Sequence, residues 1–327
     1  MSSSIKTLSP SLAVVPVISR AVTFLAQSQL AHGEIPVHRF SDSAMTGTGA
    51  FDSTPFATGL ALIALKQLEH PLVAEIRRKA TSFLYEQYEP PGVWRYWSSR
   101  QGTPIDPDVD DTCCISYALN GRAHSRVASA SACDNVALIL RNRHASGLFK
   151  TWLRDNSADN DVDGVVNANV LLYLGERPET LPARDIIIAA INQDREAQAS
   201  IYYPNASALY HAVARAYVNG VAGFSLCKDA VLRKLDSTCL DNDPIALASA
   251  IFTRVSFGDL ARPLVVHVAR LFALQQADGG FAKAAFYTGP EPPAPRSVWW
   301  GSRALSTTLC VEALAAFFNS KAADAVG

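Results

Sequence analysis

Asp108, Asp110 and Asp111 place three carboxyl groups within four positions of the run Asp106-Pro107-Asp108-Val109-Asp110-Asp111-Thr112, directly before the apolar stretch Cys113 to Leu119. Like charges at the mouth of a buried helix repel one another and compete for few compensating partners, so at least one carboxyl should keep its proton near neutral pH. A retained proton is a usable acid. A helix start needs only one capping side chain. The remaining carboxyls call for another reason, and perturbed acids cluster at functional sites.

A second acidic run, Asp159-Asn160-Asp161-Val162-Asp163, precedes an apolar segment that carries Asn167 and Asn169. Its hard oxygen ligands would suit Mg²⁺, and a solvated loop closed by a cap accounts for them equally. Amides on an otherwise apolar helix must find partners, so one of the two asparagines is expected to reach the acids. His211, beside Tyr210, is the histidine placed among apolar helices, as a core residue or as a catalyst. Tyr202, Tyr210, Phe286, Tyr287, Trp299 and Trp300 are candidates to line a pocket, about half of them by packing alone. Asp52, Asp241 and Asp243, close to Thr54-Pro55 and Asp243-Pro244, read as structural caps.

The elements that hold these residues repeat along the chain. A Gly-centred turn recurs as Gln29-x-x-x-Gly33-x-Ile35, Tyr88-x-x-x-Gly92-x-Trp94, Arg143-x-x-x-Gly147-x-Phe149 and Gln275-x-x-x-Gly279-x-Phe281, with weaker copies near Ser200 and Asp236. After each turn comes a segment apolar around most of its circumference: Pro55 to Leu65, Thr112 to Leu119, Val165 to Leu174, Ala206 to Val218, Pro244 to Phe252 and Ala304 to Phe318. Such helices are covered on all sides. Segments before the turns differ; Ile18, Val22, Leu25 and Gln29 keep near-helical spacing with polar residues between them, so one face meets solvent. Six inner and six outer helices in alternation, with no convincing alternating apolar run for a sheet, predict an all-α chain folded as an (α/α)6 barrel. A single domain, 17–320, is expected between tails 1–16 and 321–327. All inner helices would then begin at one rim, with their free N–H groups and positive dipole ends. The acidic run sits there, on the second inner helix.

Composition narrows the partners. The 327 residues carry a formal net charge of −1 and are 49% hydrophobic, which supports a large core and gives no electrostatic case for nucleic acid. The N-terminal residues lack a basic flank and a continuous apolar core, so the expected location is cytoplasmic. No apolar run reaches the roughly 18 to 20 residues of a membrane span; peripheral membrane contact stays compatible with the sequence. The six cysteines follow no CxxC or Cys/His ligand spacing, which favours reduced thiols and gives no zinc site.

Asp108-Val109-Asp110-Asp111-Thr112 resembles the DxDD(T) motif of class II terpene cyclases, the squalene-hopene cyclase and copalyl diphosphate synthase group, and Gln275-Gln276-Ala277-Asp278-Gly279-Gly280-Phe281 resembles that group's QW repeats. The resemblance implies a terpenoid cyclase-like toroid that protonates a terminal alkene or epoxide of an isoprenoid small molecule and lets the cation close rings. It implies Asp110 as general acid, Asp108 and Asp111 as supporting carboxylates, and an assisting Asn169 or Asn167 as in copalyl-type members, or His211 as in squalene-hopene types. Protonation then needs no cofactor, and Mg²⁺ enters only with a diphosphate substrate. Familiar members close the site between two α-barrel domains, whereas a single barrel leaves its mouth to be closed by its own loops, such as Gly289 to Pro295, by a second subunit in a homodimer, or by nothing. Competing readings are an α/α-barrel glycoside hydrolase or polysaccharide lyase pairing Asp110 with Asp163, a protein prenyltransferase β-subunit with zinc near Asp236, Cys239 and His267, and an isoprenoid-binding barrel without chemistry.

Overall fold

The computed structural model describes residues 10–102, 105–123, 134–154, 160–238, 240, 242–291 and 294–324. Helix α1 (Pro10–Ser28) leads into strands β1 (Val37–Phe40) and β2 (Ala50–Asp52), then α2 (Pro55–Ala64), α3 (Pro71–Glu86), α4 (Val109–Asn120), α5 (Asp134–Arg141), α6 (Gly164–Leu174), α7 (Leu181–Asn192), the short α8 (Glu196–Ala199) and α9 (Ala206–Val218). A 3₁₀ turn (Ala222–Cys227), α10 (Lys228–Ser237), α11 (Pro244–Ser256), α12 (Arg262–Ala273), strands β3 (Tyr287–Glu291) and β4 (Ala294–Gly301), and α13 (Arg303–Asp324) complete it.

The helices fall into two populations set by their apolar patterning. α2 packs on α4, α4 on α6, α6 on α9, α9 on α11 and α11 on α13, and α13 returns to α2. These six close a ring. Every residue of α2 and of α6 is buried, as all-round apolar helices require. α12 instead buries Leu264, Val268 and Leu271, a single stripe at helical spacing. α1, α3 and α7 are likewise one-sided and lie outside the ring.

The repeated turns join the two layers through hydrogen bonds of one design. Gly33, Gly92, Gly147 and Gly279 all hold positive φ, from 90° to 107°, where glycine is favoured. A Cβ on Gly33 would stand 2.1 Å from the Lys79 carbonyl oxygen. Two residues after each glycine, the backbone N–H of Ile35, Trp94, Phe149 and Phe281 donates to Thr58, Thr112, Asn167 and Thr307 on α2, α4, α6 and α13. In the first and last copies the glutamine also bridges sideways: Gln29 donates to the Gly33 and Ile76 carbonyls, and Gln275 to those of Gly279 and Val17. Each turn is therefore pinned to an inner helix, and these two to the next outer helix as well.

Two expectations change. The chain is mostly helical but not all-α, because a four-stranded antiparallel sheet in the order β2-β1-β4-β3 sits at the rim. β1 and β2 have four and three residues, too short for alternation to register, and β3 contains Gly289 and Pro290, which ordinarily argue against a strand. The first helix starts at Pro10, inside the segment expected as a tail, with Pro16 within it, and α13 runs past residue 320 to Asp324. Among the described residues no helix is long and apolar enough to cross a membrane.

Candidate active site

A cavity of about 520 Å³ opens at the rim where the inner helices begin, between the start of α4 and the sheet. Asp108, Asp110 and Asp111 line one side, and Phe56, Tyr96, Trp97, Trp152, Tyr202, Tyr203, Tyr287 and Trp300 supply aromatic surface. Asp108 is the cap: its Oδ1 accepts the Asp111 backbone N–H at 2.7 Å, as the first turn of a helix demands. Asp110 is turned inward and only 8% exposed. Its Oδ2 accepts the Tyr203 hydroxyl at 2.5 Å and its Oδ1 the Asn169 amide at 2.7 Å.

The three carboxyls are crowded together and buried. Burial pushes Asp110 up most; the Tyr203 bond opposes this, the charge of Asp108 adds to it and the Asn169 bond opposes it, leaving the group at about 7. Asp111, 2% exposed, is driven well above the carboxylate range by burial and then by Asp108 and Asp110. Its Oδ1 is buried without a hydrogen-bond partner. Asp108 is raised too, by burial, with its bonds to Asp111 holding it down. Near neutral pH this cluster retains protons, and Asp110 titrates where donor and conjugate base are both accessible.

Solved structures share this architecture. A protein from Actinoplanes superposes with a TM-score of 0.70 at 16% identity, covering 93% of this chain and 99% of that one. Single-residue variants of type II terpene cyclase MstE from Scytonema superpose at 0.66 and 15% identity in complex with the substrate geranylgeranyl dihydroxybenzoate, and at 0.68 and 14% with the product merosterolic acid A. Each comparison covers 95% of this chain and 99% of MstE. The fold is that of a type II terpene cyclase. No family model and no curated protein sequence matches the chain.

Within this cyclase fold the sequence candidates separate. Asn169 meets Asp110, whereas Asn167 does not: its side chain bonds the backbone of Phe149 and the Asp163 carbonyl, the position Thr58, Thr112 and Thr307 take in the other repeats. His211 does not line the cavity. Its Nε2 lies 3.1 Å from Glu312 Oε2, and burial, with the Arg215 charge, lowers its pKa. Tyr202 and Trp300 line the cavity, and the Tyr202 hydroxyl donates to Asp161 at 2.6 Å. Tyr210 donates to Glu196 instead and is absent from the lining. Trp299 also lies off the cavity, because neighbours on a strand face opposite ways and Trp300 takes the inner side.

The other acids have structural partners. Asp163 caps α6 and also accepts the backbone N–H groups of Ile201 and Tyr202, so it fixes the loop that carries Tyr203. Asp243 caps α11 as expected. Asp52 is not a cap, since Thr54 caps α2; its Oδ2 accepts the indole N–H groups of Trp97 and Trp300. Asp159, Asp241 and Cys239 lie outside the described residues. Among those described, no cluster of three His, Cys, Asp or Glu side chains could hold a metal ion, and Asp163 and Asp161 are engaged by the backbone and by Tyr202 rather than converging as Mg²⁺ ligands. Asp236 pairs with Arg254, and His267 lies on the outer helix α12.

Sequence reasoning missed Tyr203, Tyr96, Trp97 and Trp152. Tyr203 adjoins Tyr202 at the weak repeat before α9, 93 residues from Asp110. Its only local signal is that position: a residue just ahead of an inner helix stands at the same rim as the acids.

Proposed function

We propose that the chain is a class II, protonation-initiated terpene cyclase that closes rings in a linear polyisoprenoid or prenyl-bearing substrate, with Asp110 as general acid. The observation that carries this reading is the Asp110 carboxyl, buried, titrating at about 7 and held by Tyr203 and Asn169 on the wall of an aromatic cavity. A single-domain (α/α)6 barrel, as the closed ring of six helices suggests, is part of the same proposal.

In the first step the π pair of the terminal alkene takes the Asp110 proton; a C–H bond forms, the O–H bond breaks and its electrons stay on the carboxylate. An alkene is a very weak base, so the product carboxylate must be stabilised as the proton leaves. The Tyr203 hydroxyl and Asn169 amide are already aimed at its two oxygens and need no reorganisation. Asp111, held toward the protonated form, limits the negative charge beside Asp110, while the charge of Asp108 helps to keep Asp110 protonated before the step. The cation left on the substrate meets aromatic faces, whose quadrupoles favour positive charge. Ring closure ends when a neighbouring C–H gives up its proton or water adds.

None of these steps uses a cofactor. The hydrolase pairing of Asp110 with Asp163 is lost, because Asp163 is fully buried as a cap and does not line the cavity. Incubating the protein and Asp110→Asn with farnesyl and geranylgeranyl substrates, with and without diphosphate and Mg²⁺, tests the reading. Cyclic products from the wild type that vanish in the variant support it, and undiminished cyclisation by Asp110→Asn contradicts it.

A further inference from the structure

The wall of the cavity facing the sheet has a carboxyl group behind it that the proton-transfer step does not use. Asp52, the last residue of β2, is 2% exposed. One of its oxygens, Oδ2, accepts Trp300 Nε1–H at 2.5 Å and Trp97 Nε1–H at 3.2 Å. Both indoles line the cavity, and Asp52 does not. The rest of the wall is built around Trp300: Tyr287 stacks on it at 5.7 Å and 20°, Tyr96 meets it edge-on at 5.6 Å, and the two tyrosine hydroxyls lie 3.1 Å apart.

This placement has two physical consequences. A carboxylate accepting an indole N–H draws the ring's positive edge toward itself and leaves the face richer in electron density, which strengthens attraction for a cation. A carboxylate in direct contact with the cation at this wall would act as a base and take a proton from it; shielded behind two rings, Asp52 contributes its field without offering that exit. We propose that Asp52 is a positioning residue that locks Trp97 and Trp300 into a cation-stabilising wall and thereby sets how far cyclisation runs before the cation is quenched. This rests on the cyclase reading above.

Satisfying two buried indole N–H groups would by itself explain an acceptor at this place. Asp52→Asn separates the two roles, because the amide oxygen still accepts both bonds while the charge is gone. With the farnesyl or geranylgeranyl substrate that the wild type cyclises, the share of early-quenched, partly cyclised product should rise about threefold or more in Asp52→Asn. The pH limb of substrate consumption, set by Asp110, should stay in place. Trp300→Phe keeps a ring and removes one N–H, and should shift products the same way should Asp52→Asn fold poorly. A wild-type product ratio in both variants overturns the proposal. In a two-dimensional NMR spectrum of side-chain indole N–H groups, two resonances should move upfield in Asp52→Asn. Unmoved resonances overturn the clamp whether or not product forms. Absence of any cyclic product from the wild type sinks the cyclase reading instead, and the resonances still decide the clamp.

Discussion

Two of the places where the inner helices bury charge, the acidic rim and the Arg215–Glu312 pair, are compensated in opposite ways. At the rim, Asp108, Asp110 and Asp111 face the cavity, where Asp110 accepts the Tyr203 hydroxyl, the Asn169 amide and the Cys114 thiol and Asp108 accepts the Asp111 backbone N–H. Deeper in the ring, Arg215 grips Glu312 with bonds of 3.0 and 2.6 Å, His211 closes the group, and Arg215 and Glu312 border a second cavity of about 270 Å³ beside Tyr117 and Asn219. Burial pushes Glu312 up, but Arg215 and then His211 outweigh it and hold the group at about 2. Asp110 sits at about 7. Burial alone therefore does not mark a functional acid: the triad is buried and self-neutralised, whereas at the rim burial and the charge of neighbouring carboxylates outweigh the hydrogen bonds to Asp110, which is the condition for holding a transferable proton.

The sharpest way to break the contrast is Asp110→Asn, which should lower cyclisation by about 10³-fold or more, since general-acid catalysis is lost on a substrate that water protonates poorly. Thermal unfolding of that variant at neutral pH should be no easier than that of the wild type. Glu312→Gln should do the reverse. Removing one partner of a buried pair strands the Arg215 charge and costs about 3–5 kcal/mol of stability, read by denaturant titration, while the folded fraction keeps its turnover and pH profile. A triad variant that cyclised at a normal rate with an unchanged unfolding midpoint would erase the distinction between the two clusters.

Smaller effects refine the rim. Tyr203→Phe removes a hydrogen bond to the departing carboxylate, of a kind worth about 1.5–3 kcal/mol, so kcat should fall about 10- to 100-fold. The same bond holds Asp110 down, so the alkaline fall-off in activity should move to higher pH in the variant. In the wild type, activity should decline above pH about 7 as Asp110 ionises. Stability carries opposite signs at the two places. Asp110 is raised from 3.8 to about 7, so its stabilising contribution is complete below 3.8 and is lost as pH rises through 7. Glu312 is lowered from 4.5 to about 2, so its contribution is present above 4.5 and is lost as pH falls through 2. Unfolding midpoints measured from pH 3 to 9 should accordingly show Asp110→Asn gaining on the wild type as pH rises.

What could be read from the chain was what is encoded locally. The glycine turns and all-round apolar helices are short-range patterns, so the ring follows from them; Ala206 to Val218 matches α9 residue for residue. The apolar pattern alone starts α4 at Thr112, later than its observed start at Val109, because Asp110 and Asp111 in its first turn look like loop residues. The acidic cluster was legible as an excess of carboxyls over what one cap requires. Asn169 and Asn167 could not be told apart, since they differ only in which neighbour each side of α6 meets. The aromatic wall was illegible: it depends on a sheet whose strands pair residues about 260 positions apart, as in His38 with Gly301. Tyr203 reaches Asp110 across a comparable absence of local signal, through a loop that Asp163 secures by its backbone.

The most direct test of proton transfer from Asp110 is isotopic. Cyclisation run in D₂O, followed by mass and NMR analysis of the product, should place a single deuterium on the carbon of the former terminal alkene, and Asp110→Asn should form no such product. A cyclic product from the wild type with no deuterium at that carbon would contradict initiation by protonation, and labelled product from Asp110→Asn at the wild-type rate would contradict Asp110 as its source.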